Sequence, residues 1–322
     1  MMSLNESVAL SFILIAILLT ATLFLFFYKN RKLKNHIIKY FDGHTSKKVL
    51  MQIRDNAKKI HLTGQERIIT VMFVDVRGFT SLAEKYSNKR VLKILNYYLR
   101  IISECIIKNC GLIDKYLGDG VMAFWGSPLF DRYQASRAIK TALQIQTLFK
   151  KEDACVGIGI NTGSAIVGNI GRKEMICYTA IGNTVNLSAR IESLNKHYGT
   201  EILVSKNTLD KFHSEPKKYK FDVLFREVDK VKVYGKVKST VLHEPILISE
   251  DFNGRQKEGY EWFELGLNMY RKGDWEKAVN MFRTADKRLG RDNVSKTFIQ
   301  RCQEFMISPP QGRWDGTISL GK

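Results

Sequence analysis

IITVMFVDVRGFT, residues 68–80, decides the fold. Its first nine residues are mostly apolar and β-branched with no alternation, the composition of a strand buried on both faces. Asp75 interrupts the run one residue before its end, and Arg77-Gly78 stops it. A strand that closes on a carboxylate and a glycine presents that carboxylate at the rim of a sheet, where it can reach solvent. Beyond it, apolar residues at Leu82, Val91, Leu92, Leu95, Leu99, Ile102 and Ile106 predict a helix from about Thr80 to Asn109. Downstream, GLIDKYLGDGVMAFWG (residues 111–126) reads as two strands joined by a tight turn at Gly118-Asp119-Gly120, with Asp119 at the hairpin tip.

Farther out, a helix is expected from about Arg132 to Lys150. CVGIGINTGSAIVGNIG (155–171) reads as a second hairpin, its glycines marking bends or close approaches. CYTAIGNTVNLSARIESLNKHYG (177–199) ends in a helix closed by Gly199. TEILVS and the strands up to about Ile248 complete an α+β fold, a mixed sheet with helices on one face. The tail, 256–307, differs. GYEWFELGLNMYRKGDWEKAVNMFRTADKRL (259–289) resembles one tetratricopeptide-like helical hairpin, with Gly273-Asp274 at the turn and Ala278 and Phe282 in the second helix. A single such unit cannot bury its own apolar face, so it is expected to dock on the α+β region, on another unit or on a protein partner.

The chain has 322 residues, 44% hydrophobic and 26% charged, enough for one sizeable core plus a smaller module. A net charge of +19 points to a polyanionic partner: nucleic acid, an anionic membrane face or a polyanionic small substrate. No helix-turn-helix, zinc-finger or aromatic RNA-binding motif accompanies the charge, which argues against nucleic acid. No GxxxxGK[ST] occurs, which excludes a P-loop ATPase. Five cysteines, an odd number without a CxxC pair, suit a reducing compartment and not a zinc site.

Val8–Tyr28 is an uncharged run of 21 residues, long enough at 1.5 Å per residue to span about 30 Å. It predicts a single-pass transmembrane helix behind a stub of residues 1–7. The following basic stretch, Lys29, Arg31, Lys32, Lys34 and Lys39, would keep the bulk of the chain on the cytoplasmic side of an inner or plasma membrane, against anionic headgroups. Residues 29–63 then read as a juxtamembrane helix and linker, and 308–322 as a short tail.

Three separated motifs, FVDVRGFTSL (73–82), KYLGDGVMAFWG (115–126) and YTAIGNTVNLSARIES (178–193), stand in the order and at the spacings of the class III adenylate/guanylate cyclase catalytic domain. The resemblance covers about residues 64–248 and implies that family's ferredoxin-like mixed sheet. It also implies that Asp75 and Asp119, with the Val76 carbonyl, hold two Mg²⁺ or Mn²⁺ ions per site. Gly78, Phe79 and Thr80 would turn backbone N–H groups to the substrate phosphates. Lys115 and Thr179 fall where the family reads the purine. An ammonium donates to adenine N1 and a threonine oxygen accepts from the 6-amino group, so ATP is favoured. Members resembling this one that use GTP carry Glu in place of the lysine. Asn186 would position the ribose, and Arg190, four residues on and on the same helix face, would stabilise charge developing on the α-phosphate. Lys236, in YGKVKS, would bind the terminal phosphates. In the family the metal-binding and base-reading residues of one site come from different subunits, which implies a head-to-tail homodimer.

Other readings stand beside these. Lys115 alone is a solvated strand charge, and Arg190 a surface pair with Glu192 or Asp210. A guanylate cyclase or a non-catalytic cyclase-like signalling scaffold would share the fold. Asn161, where relatives often have His, and Asn183, where Asp is common, are expected to affect only the local fold.

Overall fold

Leu4–Phe41 forms one unbroken helix of 38 residues, α1, followed by α2 at Lys47–Asp55, which Ser46 caps by accepting from the Val49 N–H at 3.2 Å. The structure, a computed structural model, describes residues 4–41, 44–56, 64–152, 154–172, 175–219, 221–233, 239–248, 252–312 and 314–320. The chain divides into two units, Met1–His61 and Leu62–Lys322. In the first, Phe41 and Ile53 are buried. Among the described residues no helix is long and apolar enough to cross a membrane. This corrects the single-pass anchor expected over Val8–Tyr28, and with it the inner- or plasma-membrane location and cytoplasmic orientation. The helix continues without a break into Lys29, Arg31 and Lys32. The side chains of Val8–Ile13 lie outside the described residues.

The second unit begins with β1 (Gln65–Val76), α3 (Phe79–Lys85), α4 (Asn88–Lys108), β2 (Leu112–Leu117), β3 (Gly120–Trp125) and α5 (Gln134–Lys151). It continues with β4 (Val156–Arg172), β5 (Met175–Ile181), α6 (Asn183–Tyr198), β6 (Ile202–Ser205), α7 (Lys206–Ser214), β7 (Val223–Val233) and β8 (Thr240–Leu247). Three helices, α8 (Gly254–Lys272), α9 (Trp275–Leu289) and α10 (Asn293–Ile307), and a last strand, β9 (Thr317–Leu320), follow. The strands form one sheet in the order β2-β3-β1-β4-β6-β8-β7-β9, with β5 folded back on β4. It is mixed: β4 with β6 and β7 with β9 are parallel, the other pairs antiparallel.

The four residues of β6 show how the core is divided. Ile202 and Val204 point to one face, against α4, α5 and α7, while Leu203 points to the other, against α6 and α8–α10. Helices therefore cover both faces, not one as expected. The helix predicted over residues 80–109 is also interrupted: Tyr86 (φ −118°, ψ 160°) and Ser87 (φ −63°, ψ 148°) are extended, and the Arg90 guanidinium lies 4.1 Å from the Tyr86 ring centre. The glycine-rich segment read as a hairpin is a single 17-residue strand, β4. Gly157, Gly159 and Gly163 are contact positions, not turns. A Cβ on Gly157 would collide with the Arg77 guanidinium and the Glu192 carboxylate, and one on Gly159 with the backbone of Glu192 and Ser188.

The turn between α8 and α9 falls at Gly273-Asp274, and α10 adds a third helix. Their apolar residues Phe263, Leu267, Tyr270, Phe282 and Phe298 pack with Ile191, Leu203, Val228 and Leu242 of the sheet and α6. Two arginines seal this contact. Arg226 on β7 pairs with Glu244 and, at 2.8 Å, with Asp292. Arg301 on α10 donates to Asp229 at 2.7 Å, and the hydroxyl of Tyr198 donates to the same carboxylate oxygen at 2.6 Å.

Candidate active site

The β1–β3 register places Asp75 opposite Gly120, which brings Asp119 beside it. Between β2 and β3 only Gly118 and Asp119 intervene, and Gly118 takes the left-handed conformation (φ 65°) that so short a turn requires. Asp119 acts on the Asp75 carboxyl. Burial is the largest cause raising the Asp75 carboxyl above its ordinary value, the negative charge of Asp119 is the second, and Arg77 opposes both. Glu192, on α6, belongs to the same field. Burial lifts its carboxyl to about 7 against the pull of Arg77, with Asp75 and Asp119 adding to the rise. Arg77 bridges to it, donating to Glu192 Oε1 at 3.0 Å and to its backbone carbonyl at 3.3 Å.

A divalent cation would relieve an Asp75 carboxylate disfavoured by burial and by the charge of Asp119, and the oxygen donors of both residues suit Mg²⁺ or Mn²⁺. Among the described residues no group of three or more His, Cys, Asp or Glu is arranged to hold a metal. Water, backbone and substrate oxygens would therefore complete the coordination, as Mg²⁺ prefers. Val76 ends β1 opposite Val156, and the next N–H, of Arg77, is taken by the Cys155 carbonyl at 3.0 Å. Gly78 (φ 73°) leads into α3, with Phe79 packed on the core and Thr80 exposed.

Lys115 and Thr179 meet directly: Lys115 Nζ donates to Thr179 Oγ1 at 3.2 Å. Lys115 is thus not merely a solvated strand charge. A third residue, which sequence reasoning missed, shares the contact: Thr179 Oγ1 donates to Asp114 Oδ2 at 2.7 Å. Strand alternation would send Asp114 and Lys115 to opposite faces. A register shift between Ile113 and Lys115 re-aims them toward one point, and nothing in the amino-acid string signals it.

Buried Thr184, Ser188, Ile191 and Asn195 seat α6 on the sheet. Ser188 Oγ lies 2.9 Å from the carbonyls of both Val71 and Gly159, and Asn195 donates to the Ile158 carbonyl at 2.9 Å. Asn186, exposed, and Arg190, half-buried, share the face turned away from that ladder. Of the carboxylates considered for Arg190, Glu192 pairs with Arg77 and Asp210 with Lys206 at 2.6 Å. Asn161 is structural: it donates to the Thr184 carbonyl at 3.0 Å and accepts from Ser205 at 2.7 Å. Lys236 lies outside the described residues.

Residues 63–244 match the family described as "Adenylate and Guanylate cyclase catalytic domain". A Dictyostelium discoideum protein described as "Adenylate cyclase, terminal-differentiation specific" is 32% identical over 244 residues, which is 73% of this chain and 11% of that protein. This chain therefore spans only a small part of that relative's length. The crystal structure of the adenylyl cyclase CyaB from P. aeruginosa is 29% identical, with a TM-score of 0.52 over 60% of this chain and 100% of that one. A guanylyl cyclase crystal structure is 31% identical, with a TM-score of 0.51 over 59% of this chain and 97% of that one.

Proposed function

Because the chain belongs to the adenylate and guanylate cyclase catalytic-domain family, we propose that it is an adenylate cyclase, converting ATP to 3′,5′-cyclic AMP and pyrophosphate in a site shared by two head-to-tail copies. The observation that carries this reading is the Lys115 ammonium held 3.2 Å from the Thr179 hydroxyl. The lysine donates to adenine N1 and the threonine oxygen accepts from the 6-amino group, whereas guanine would set its N1–H against a donor.

In the reaction the ribose 3′-oxygen loses its proton to water and forms a bond to the α-phosphorus, while the bond from that phosphorus to the bridging oxygen breaks and pyrophosphate departs. When bound, two divalent cations, Mg²⁺ or Mn²⁺, would be held by Asp75, Asp119 and the Val76 carbonyl and would supply Lewis-acid activation of the 3′-hydroxyl and charge neutralisation on the triphosphate. Gly78, Phe79 and Thr80 offer backbone N–H groups to phosphate oxygens at the start of α3. Asn186 orients the ribose, and Arg190 places a fixed guanidinium where the α-phosphate gains charge. The face of α6 bearing both residues points away from its own sheet, which supports their serving the carboxylates of a second copy. The Gly273-Asp274 turn, with Ala278 and Phe282 behind it, supports reading α8 and α9 as tetratricopeptide-like.

The test supplies the full chain with Mg²⁺ and either ATP or GTP. Cyclic AMP is expected from the wild type, no product from Asp75→Ala, and a collapsed ATP preference from Lys115→Glu. Mixing Asp75→Ala with Arg190→Ala should restore about a quarter of wild-type activity, because half the dimers are then mixed and each keeps one intact site. Mixed dimers that form and stay inactive would refute the shared site.

A further inference from the structure

We propose that Asp114 is a specificity-determining positioning residue, which makes the enzyme select adenine by engaging the single hydrogen of the Thr179 hydroxyl; the inference rests on the adenylate-cyclase reading above. A threonine hydroxyl is by itself ambidextrous, one donor and two lone pairs, and it rotates to suit its neighbour. Left free, Thr179 would accept from the 6-amino group of adenine or donate to the 6-oxo group of guanine. Its presence alone therefore does not discriminate at that position.

Asp114 removes the ambiguity. The Thr179 hydroxyl donates to Asp114 Oδ2, 2.7 Å away, and it has only this one hydrogen to give. What remains on Thr179 Oγ1 is acceptor capacity, which Lys115 Nζ occupies in part at 3.2 Å. The same ammonium lies 3.5 Å from Asp114 Oδ2 and supports the carboxylate's charge. The Asp114 side chain is 0% exposed and Thr179 is 5% exposed, so water is poorly placed to offer the threonine another acceptor. The bulge at Asp114 is what allows adjacent residues to converge on one oxygen. When adenine arrives, Lys115 turns to N1 and Thr179 presents lone pairs to the 6-amino group. A 6-oxo group would meet lone pair against lone pair.

Asp114→Asn tests this, since the new amide can donate to Thr179 Oγ1 and release its hydrogen. ATP, GTP and purine riboside 5′-triphosphate, which keeps N1 but lacks a 6-substituent, are compared by turnover and by equilibrium binding. The expected result is a fall of about 10- to 100-fold in the ATP-to-GTP ratio, and a reduced advantage of ATP over the purine riboside nucleotide. In a Thr179→Val background the same substitution should change neither ratio, because the hydroxyl through which Asp114 acts is gone. Equal losses for all three nucleotides, or a changed ratio that persists with Thr179→Val, would overturn the proposal. A wild-type chain that prefers ATP in binding yet forms no cyclic product refutes the cyclase reading and leaves the role of Asp114 to the binding ratios. A wild type without ATP preference refutes both.

Discussion

Arg190 can be removed without disturbing the ladder that seats its helix, because Thr184, Ser188, Ile191 and Asn195 make the contacts to the sheet. Arg190→Ala should therefore lower kcat for ATP by about 10²- to 10³-fold with little change in Tm, and Arg190→Lys should recover little, since an ammonium lacks the planar fork. Steady-state kinetics beside melting curves check this, and a loss confined to KM would count against it. His243 on β8 gives a different prediction. It is 6% exposed, its Nδ1 is buried with no hydrogen-bond partner among the described residues, and burial holds its imidazole down to about 4. Glu227 and Asp210 pull the other way, while Lys206 and Arg271 reinforce the depression. The unfolded chain takes up this proton near 6.5, the folded chain only near 4. Between those values the unfolded state binds more protons, so stability falls as pH drops through the window, by up to about 3 kcal/mol. Urea midpoints at pH 7, 5.5 and 4.5 should show this slope in the wild type and a flatter one in His243→Leu.

At the level of elements, α6 rests on β4 where Gly157 and Gly159 leave no side chain between them. Gly159→Ala should push the helix off the strand, costing about 1–3 kcal/mol and lowering kcat, because Asn186 and Arg190 ride on that helix. Thermal melting and turnover measured together test the coupling, and lost stability with unchanged kcat would deny it. These glycines also show what was legible in the sequence. Their spacing was visible, but a strand gives no sign of whether a missing side chain serves a bend or a neighbour, so β4 read as a hairpin. The β1 strand, the Gly118-Asp119 turn and the α6 helix were readable because each rests on local chemistry: an unbroken apolar run, a turn glycine, a helix-closing Gly199. The break at Tyr86-Ser87 was not, since no glycine or proline marks it. Asp114 escaped notice for a deeper reason: its function depends on a slip of register between two strands, a property of the pair.

Across the Leu62–Lys322 unit, α8–α10 share a core with the sheet and are pinned to it by two buried arginines. Asp229 is 1% exposed and holds both Arg301 and Tyr198. Asp229→Ala would strand the Arg301 guanidinium without its carboxylate, at a cost of about 3–5 kcal/mol. Because the core is continuous, the unit should unfold in one calorimetric transition, and Asp229→Ala should lower that single Tm without splitting it; two separated peaks would show that the helices melt on their own. Tyr198 closes the helix that carries Asn186 and Arg190; it donates to Asp229 on β7, and the Arg301 that neutralises this carboxylate comes from α10. On a translating ribosome, every strand from β1 to β8 has therefore emerged while the Asp229 carboxylate that holds Tyr198 still waits for its arginine. The nascent unit would gain its full buried ion pairing late, when α10 clears the exit tunnel.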